Sequence, residues 1–189
     1  VSPGARAEAM EAVKVANAKR VPVAFDLNYR SKLWSEAQAR EAFSEIIPKV
    51  DILFASRGGL ATFFDIEGSH EEVLREAIRK LGVAAATLTR KRAKGSRRLK
   101  IMSMALGKSG VLATTDWRSI EVVDRLGGGD AYAAGFLHGY LENPEQLSRA
   151  IALGNAASAL KHTMPGDFLS ATHEEIEAVV AGGSDVLQR

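Results

Sequence analysis

The sequence predicts an α/β fold in which a parallel sheet is flanked by helices. Three observations carry this. Short apolar runs at 21–25, 51–55 and 83–88 read as buried strands. Helix-period segments opened by capping boxes lie between them, and strands that alternate with helices argue a parallel sheet. The chain has 189 residues, 46% hydrophobic and 25% charged, which suits one globular domain with a sizeable core.

The elements follow in order. Residues 4–19 carry Ala, Met and Val at helical spacing among Glu and Lys, an amphipathic helix. Val21 to Phe25 is the first strand, and Asp26-Leu27-Asn28-Tyr29-Arg30 follows its C-terminal end, where ligands collect in open α/β sheets. Ser35 to Gln38 is a capping box for a helix to about Ile47, and Ser69 to Glu72 another for a helix to about Leu81. Asp51 to Ala55 and Val83 to Leu88 are strands, as are Val111 to Thr114 and Ile120 to Val123. Asn143 with Pro144 reads as the start of a helix to Lys161, in which Pro takes the first position. Thr172 to Glu175 caps a last helix over 173–181, and the tail from Gly182 is expected to fray.

Composition narrows the function classes. A formal charge of +2 does not imply a nucleic-acid partner. With no cysteine there is no disulfide frame, thiol nucleophile or Cys-ligated zinc, which fits a reducing cytoplasmic compartment. No apolar run approaches the roughly 18 residues of a membrane span, and Val1-Ser2-Pro3-Gly4 is no signal peptide. The four histidines, His70, His138, His162 and His173, show no metal-ligand spacing, and His138 reads as a packed core residue. Met102 to Ser109 nearly matches a phosphate loop, but Met102 stands at the first glycine and a strand rather than a helix follows, so Gly107 to Gly110 reads as a turn. The basic stretch from Arg90 to Lys100 reads first as a solvated loop or hairpin, and second as a phosphate-facing patch.

The chemistry concentrates in one stretch. Ile120 to Val123 leads to Asp124-Arg125-Leu126 and then Gly127-Gly128-Gly129-Asp130 at the start of an apolar helix. Glycines let the backbone approach a ligand, and a helix N-terminus turns its N–H groups and dipole toward the same place, so this is an anion site. Asp130 alone is an ordinary helix-start aspartate. Beside the glycines it becomes the candidate catalytic base, taking a proton from a hydroxyl that attacks a bound phosphoryl group. Asp124 reads equally as a second carboxylate near the cation or phosphates and as a turn residue. Asp26, Asn28 and Arg30 fall on one side if extended. Arg30 then either clamps a carboxylate or phosphate, or packs on Trp34 or Tyr29.

The stretch from Asp124 to Phe136 resembles the C-terminal signature of the ribokinase/PfkB carbohydrate kinases, D-T-x-G-A-G-D, whose last aspartate is the catalytic base. With Asp26 to Trp34 and Leu160 to Asp167, the sequence is most similar to 2-keto-3-deoxygluconate kinases. The resemblance implies a ribokinase-like sheet and a chain, 1–189, that forms the C-terminal portion of the kinase domain, with the N-terminal strands and lid missing. It implies ATP- and Mg²⁺-dependent transfer of the γ-phosphoryl to a hydroxyl of a sugar acid. Asp130 would be the base and Gly127, Gly128 and Gly129 the anion hole. Asn28, Arg30 and Asp167 would bind substrate, and Asp124, Gly154, Asn155 and Ala156 the nucleotide, with no protein-held metal. Partners are then ATP and a small sugar acid, not a membrane, and homo-oligomerisation stays open. A PfkB kinase for a neutral sugar such as fructose or ribose, and an inactive nucleotide-binding fragment, are the alternatives. Ser56 to Leu60 lacks the acids that the family often carries there, and the stretch from Arg90 to Lys100 departs from it.

Overall fold

The computed structural model describes residues 2–95 and 97–182. The elements are helix α1 (Pro3–Ala18), strand β1 (Ala24–Asp26), α2 (Glu36–Ile46) with a 3-10 turn at Ile47–Lys49, β2 (Ile52–Phe54), α3 (Arg57–Phe64) and α4 (His70–Leu81). Then come β3 (Ala85–Lys94), β4 (Arg98–Gly107), β5 (Leu112–Thr114), β6 (Arg118–Glu121), α5 (Gly128–Glu142), α6 (Leu147–His162) and α7 (His173–Val180). The strand order is β1-β2-β3-β4-β5, with β6 paired to β4. The β1–β2 and β2–β3 pairs are parallel and the β4–β6 pair is antiparallel, so the sheet is mixed rather than purely parallel. No helix among the described residues is long and apolar enough to cross a membrane.

The chain divides into two compact units, Val1–Leu88 with Leu106–Val111, and Thr89–Ala105 with Leu112–Arg189. In unit 1 the capping boxes form as the sequence predicts: Ser35 accepts from the Gln38 amide and Ser69 from the Glu72 amide, each with the reciprocal bond. Strand β2 is buried throughout, whereas β1 ends the strand order and leaves Ala24 and Asp26 exposed, so the expected buried first strand is an edge. Phe43 of α2 is 4% exposed and meets Phe25, Trp34 and Phe63 edge-on, with ring centroids 5.0–5.7 Å apart. This aromatic cluster ties β1, α2, α3 and the loop after β1 into one core.

In unit 2, α5 packs along α6 at backbone-contact distance. A Cβ at Gly135 would lie 2.7 Å from the Leu153 carbonyl, and one at Gly139 would lie 2.9 Å from Ala150 Cα. Leu99, Ile101, Ile120 and Ala159 form one core cluster, and Ala156, Leu160 and Val179 another. The β4–β6 register sets Arg98 opposite Glu121, an opposite-charge pair across the strands.

Four expectations are corrected. Helix α3 occupies 57–64, where no helix was expected. The basic stretch lies largely in the paired strands β3 and β4, as the hairpin reading has it, and what is corrected is the end of β3, which runs past Leu88 to Lys94. Asn143 ends α5 rather than opening α6, and its side chain accepts from the Glu145 amide in a local turn, so α6 begins only at Leu147. His138 is half exposed and faces Glu142 at 3.3 Å instead of packing in the core. The tail beyond Gly182 lies outside the described residues.

Candidate active site

The glycine turn lies wholly within unit 2. Gly127 is the N-cap of α5 with φ 70°, a left-handed conformation that disfavours other residues. A Cβ there would stand 1.9 Å from the Asp167 carbonyl oxygen, so two turns meet at this point. A Cβ on Gly128 would stand 2.3 Å from His162 Cε1. Gly129 differs, because none of the described residues lies within 4 Å of its Cβ position. Two glycines thus serve close packing and the third opens onto free space. Among the described residues no side chain caps α5, so its first N–H groups remain available to an anion. Asp130 is exposed in the first turn of the same helix.

Asp124 binds the turn from below. Its Oδ1 accepts from the Leu126 amide at 3.0 Å and its Oδ2 from the Gly166 amide at 2.9 Å. These bonds, led by Leu126, hold its carboxyl below the usual carboxylate range, with help from the Arg125 amide and the Lys161 charge and against desolvation. Asp124 is therefore the bridge between the 124–127 and 164–167 turns.

Helix α6 forms the floor. Ser158 Oγ donates to the Gly128 carbonyl at 2.8 Å. His162 is 1% exposed, and its Nδ1 lies 2.6 Å from the Ser158 carbonyl, an acceptor, so Nδ1 carries the proton. Burial pushes the His162 pKa down, the Ser158 bond opposes this, and the charges of Lys91, Lys161 and Arg125 reinforce it. The His162 carbonyl accepts from the Val123 and Asp124 amides at 2.8 and 3.2 Å. Sequence reasoning gave neither Lys161 nor His162 a role. The available signal was Lys161 and His162, two titratable residues directly after the small and apolar run from Ala156 to Leu160.

The proposed nucleotide residues separate. Asn155 lines a cleft of about 550 Å³ in unit 2, together with Thr115, Trp117, Arg118, Ser148 and Ala152. Its Nδ2 donates to Ser103 Oγ at 3.1 Å and Thr115 Oγ1 at 3.3 Å. Gly154 and Ala156 do not line this cleft: a Cβ on Gly154 would stand 2.8 Å from the Tyr132 carbonyl, and Ala156 is fully buried in the core. The Arg90 and Arg92 guanidiniums lie 5.3 and 4.4 Å from the Trp117 ring centre, which gives two of the basic residues a cation–π role that the sequence did not reveal.

Asn28 and Arg30 belong to unit 1. The Leu27 amide donates to the Phe54 carbonyl at 2.8 Å, and the Tyr29 hydroxyl donates to the Trp34 carbonyl at 3.0 Å. Leu27 is buried and Tyr29 half-buried against Phe63, so Asn28 and Arg30 stay exposed between anchored neighbours. Exposure alternates from Asp26 to Arg30, but the segment is not extended as expected: the strand ends at Asp26 and the Asn28 amide donates back to the Asp26 carbonyl at 2.7 Å.

Residues 1–173 match the pfkB family carbohydrate kinase model. The chain belongs to the pfkB family of carbohydrate kinases. It is 31% identical over 186 residues to 2-dehydro-3-deoxygalactonokinase of Haloferax volcanii, covering 95% of this chain and 53% of that protein. It is 30% identical over 136 residues to 2-dehydro-3-deoxygluconokinase of Haemophilus influenzae, covering 66% and 38%. The crystal structure of 2-dehydro-3-deoxygluconokinase from Thermotoga maritima superposes with a TM-score of 0.88 at 29% identity, over 94% of this chain and 55% of that one. The fold is accordingly ribokinase-like, and this family member spans about half the length of these relatives.

Proposed function

We propose that residues 1–189 are the C-terminal portion of a kinase domain that transfers the γ-phosphoryl of ATP to a hydroxyl of 2-keto-3-deoxygluconate. The observation that carries this reading is the uncapped start of α5, framed by Gly127 to Gly129, with Asp130 exposed in its first turn. The amides would stabilise charge on the transferring group, and the space over Gly129 would admit it. Asp130 would take the proton of the attacking hydroxyl. Arg30 would pair with the carboxylate of the sugar acid, Asn28 and Asp167 would hydrogen-bond the substrate, and the cleft at Asn155 and Trp117 would receive the nucleotide base. ATP supplies the phosphoryl group. Among the described residues no three His, Cys, Asp or Glu side chains assemble to hold a metal. Mg²⁺ suits such a site when it is held mainly by the phosphates and one carboxylate, for which the exposed Asp130 stands at the start of α5.

The test is ATP-dependent phosphorylation of 2-keto-3-deoxygluconate, measured for this chain and for a version extended at its N-terminus, each with Asp130→Asn. Loss of about 10²-fold or more in Asp130→Asn with the fold intact is expected. Activity that survives Asp130→Asn removes the base assignment. A second reading, a nucleotide-binding piece without catalysis, is favoured by the half-length match to the relatives. It predicts ATP binding with no turnover in the short chain.

A further inference from the structure

Lys161 is the least expected residue of unit 2. It is 0% exposed, yet it carries an ammonium, and burying such a charge is costly unless it is paired and hydrogen-bonded. It sits in the last turn of α6, where a cation suits the helix dipole. A lysine that serves only this purpose can stay in solvent. This one turns inward, and its Nζ donates to the Met164 carbonyl at 3.0 Å. Met164 opens the turn that carries Gly166, whose amide donates to Asp124, and Asp167, whose carbonyl closes on Gly127. The Met164 amide returns a bond to the Lys161 carbonyl at 3.1 Å, so the turn is held from both sides. The Asp124 carboxylate, which ties that turn to Leu126, senses the Lys161 charge.

We propose that Lys161 is a positioning residue for the glycine turn: its buried ammonium fixes the Met164–Asp167 turn, and through Asp124 sets the spacing of the Gly127–Gly129 amides. Its charge also offsets the Asp124 carboxylate in a half-buried place. The catalytic consequence rests on the kinase reading above, whereas the structural consequence does not. Positional errors of about 1 Å at a reacting centre can cost about 10²-fold in rate, so a loose turn would be felt in turnover before binding.

The experiment compares wild type with Lys161→Met, which keeps the linear shape and removes the charge, and Lys161→Gln, which keeps a donor without the charge. Backbone amide spectra and hydrogen exchange are recorded alongside urea denaturation and phosphoryl-transfer kinetics. In both variants the Leu126 and Gly166 amides should exchange about tenfold faster than the change in global stability explains, with shifts moved at Gly127 to Gly129. In the active form of the protein, kcat should fall about 10–100-fold with KM for the sugar acid within about twofold. A lysine that only caps α6 would lower global stability and leave those amides in proportion to it, and that result overturns the proposal. Should Lys161→Met fail to fold, Lys161→Gln carries the same readouts. Activity retained in Asp130→Asn would instead strike the kinase reading and leave the amide result to judge Lys161.

Discussion

At the scale of single residues, the three glycines of the turn make different demands. Gly127→Ala imposes a left-handed conformation on a residue with a Cβ and drives that Cβ into the Asp167 carbonyl. It should cost about 2 kcal/mol or more, measured by urea denaturation. Gly129→Ala meets no atom and has an ordinary helical position, so stability should stay within about 0.5 kcal/mol or improve. Yet the added methyl occupies the space proposed for the phosphoryl group, so affinity for ATP should fall about tenfold or more by calorimetry. Unchanged ATP binding in Gly129→Ala would place the phosphates elsewhere. His162 offers a pH test. Burial holds its folded pKa below the unfolded value near 6.5. Below that value the unfolded chain binds the proton more readily than the native one, so stability should rise with pH between about pH 5 and 7 and level off above. A urea midpoint that falls with rising pH in that window contradicts a neutral, buried imidazole.

At the scale of elements, the sequence was most legible where the signal is local. Ser35, Ser69 and Thr172 each open a helix within one residue of expectation, because both bonds of a capping box join residues three apart. Helix α3 was illegible because Gly58 and Gly59 weaken helix propensity. Ser56 rescues it by accepting from the Gly59 amide, and Asp65 ends it in a left-handed conformation with φ 53°. A hairpin over the basic stretch was legible but the length of β3 was not, because what holds Arg90 and Arg92 is Trp117, more than 20 residues away in sequence. The aromatic cluster is equally non-local and supports the loop that presents Asn28 and Arg30. Phe43→Ala removes the ring that Phe25, Trp34 and Phe63 share, and should cost about 3–5 kcal/mol in urea denaturation. Proteolysis near Tyr29 should rise more than in α7. Equal sensitivity of both segments would mean that the cluster does not stiffen this loop.

At the scale of the whole molecule, the family and most of the candidate site were legible because the signature from Asp124 to Asp130 is contiguous and chemically demanding. The floor under it was not, since His162 and Lys161 gain meaning only when α6 lies beneath the glycine turn. The residues proposed for the ligands divide over the chain: those proposed for the nucleotide belong to unit 2, and Asn28 and Arg30 to unit 1. This division predicts a pattern of hydrogen-exchange protection. ATP should protect α5 near its start and the 114–119 segment, and leave 27–31 unchanged. The sugar acid should protect 27–31, and Arg30→Ala should abolish that protection. A neutral sugar leaves the Arg30 guanidinium without an anionic partner, so Arg30→Ala should weaken binding of 2-keto-3-deoxygluconate about tenfold or more and that of fructose or ribose little. Equal losses with acid and neutral sugars would show that Arg30 does not read a carboxylate. The assignment would then move to a neutral-sugar kinase, with Asp130 and the glycine turn keeping their roles.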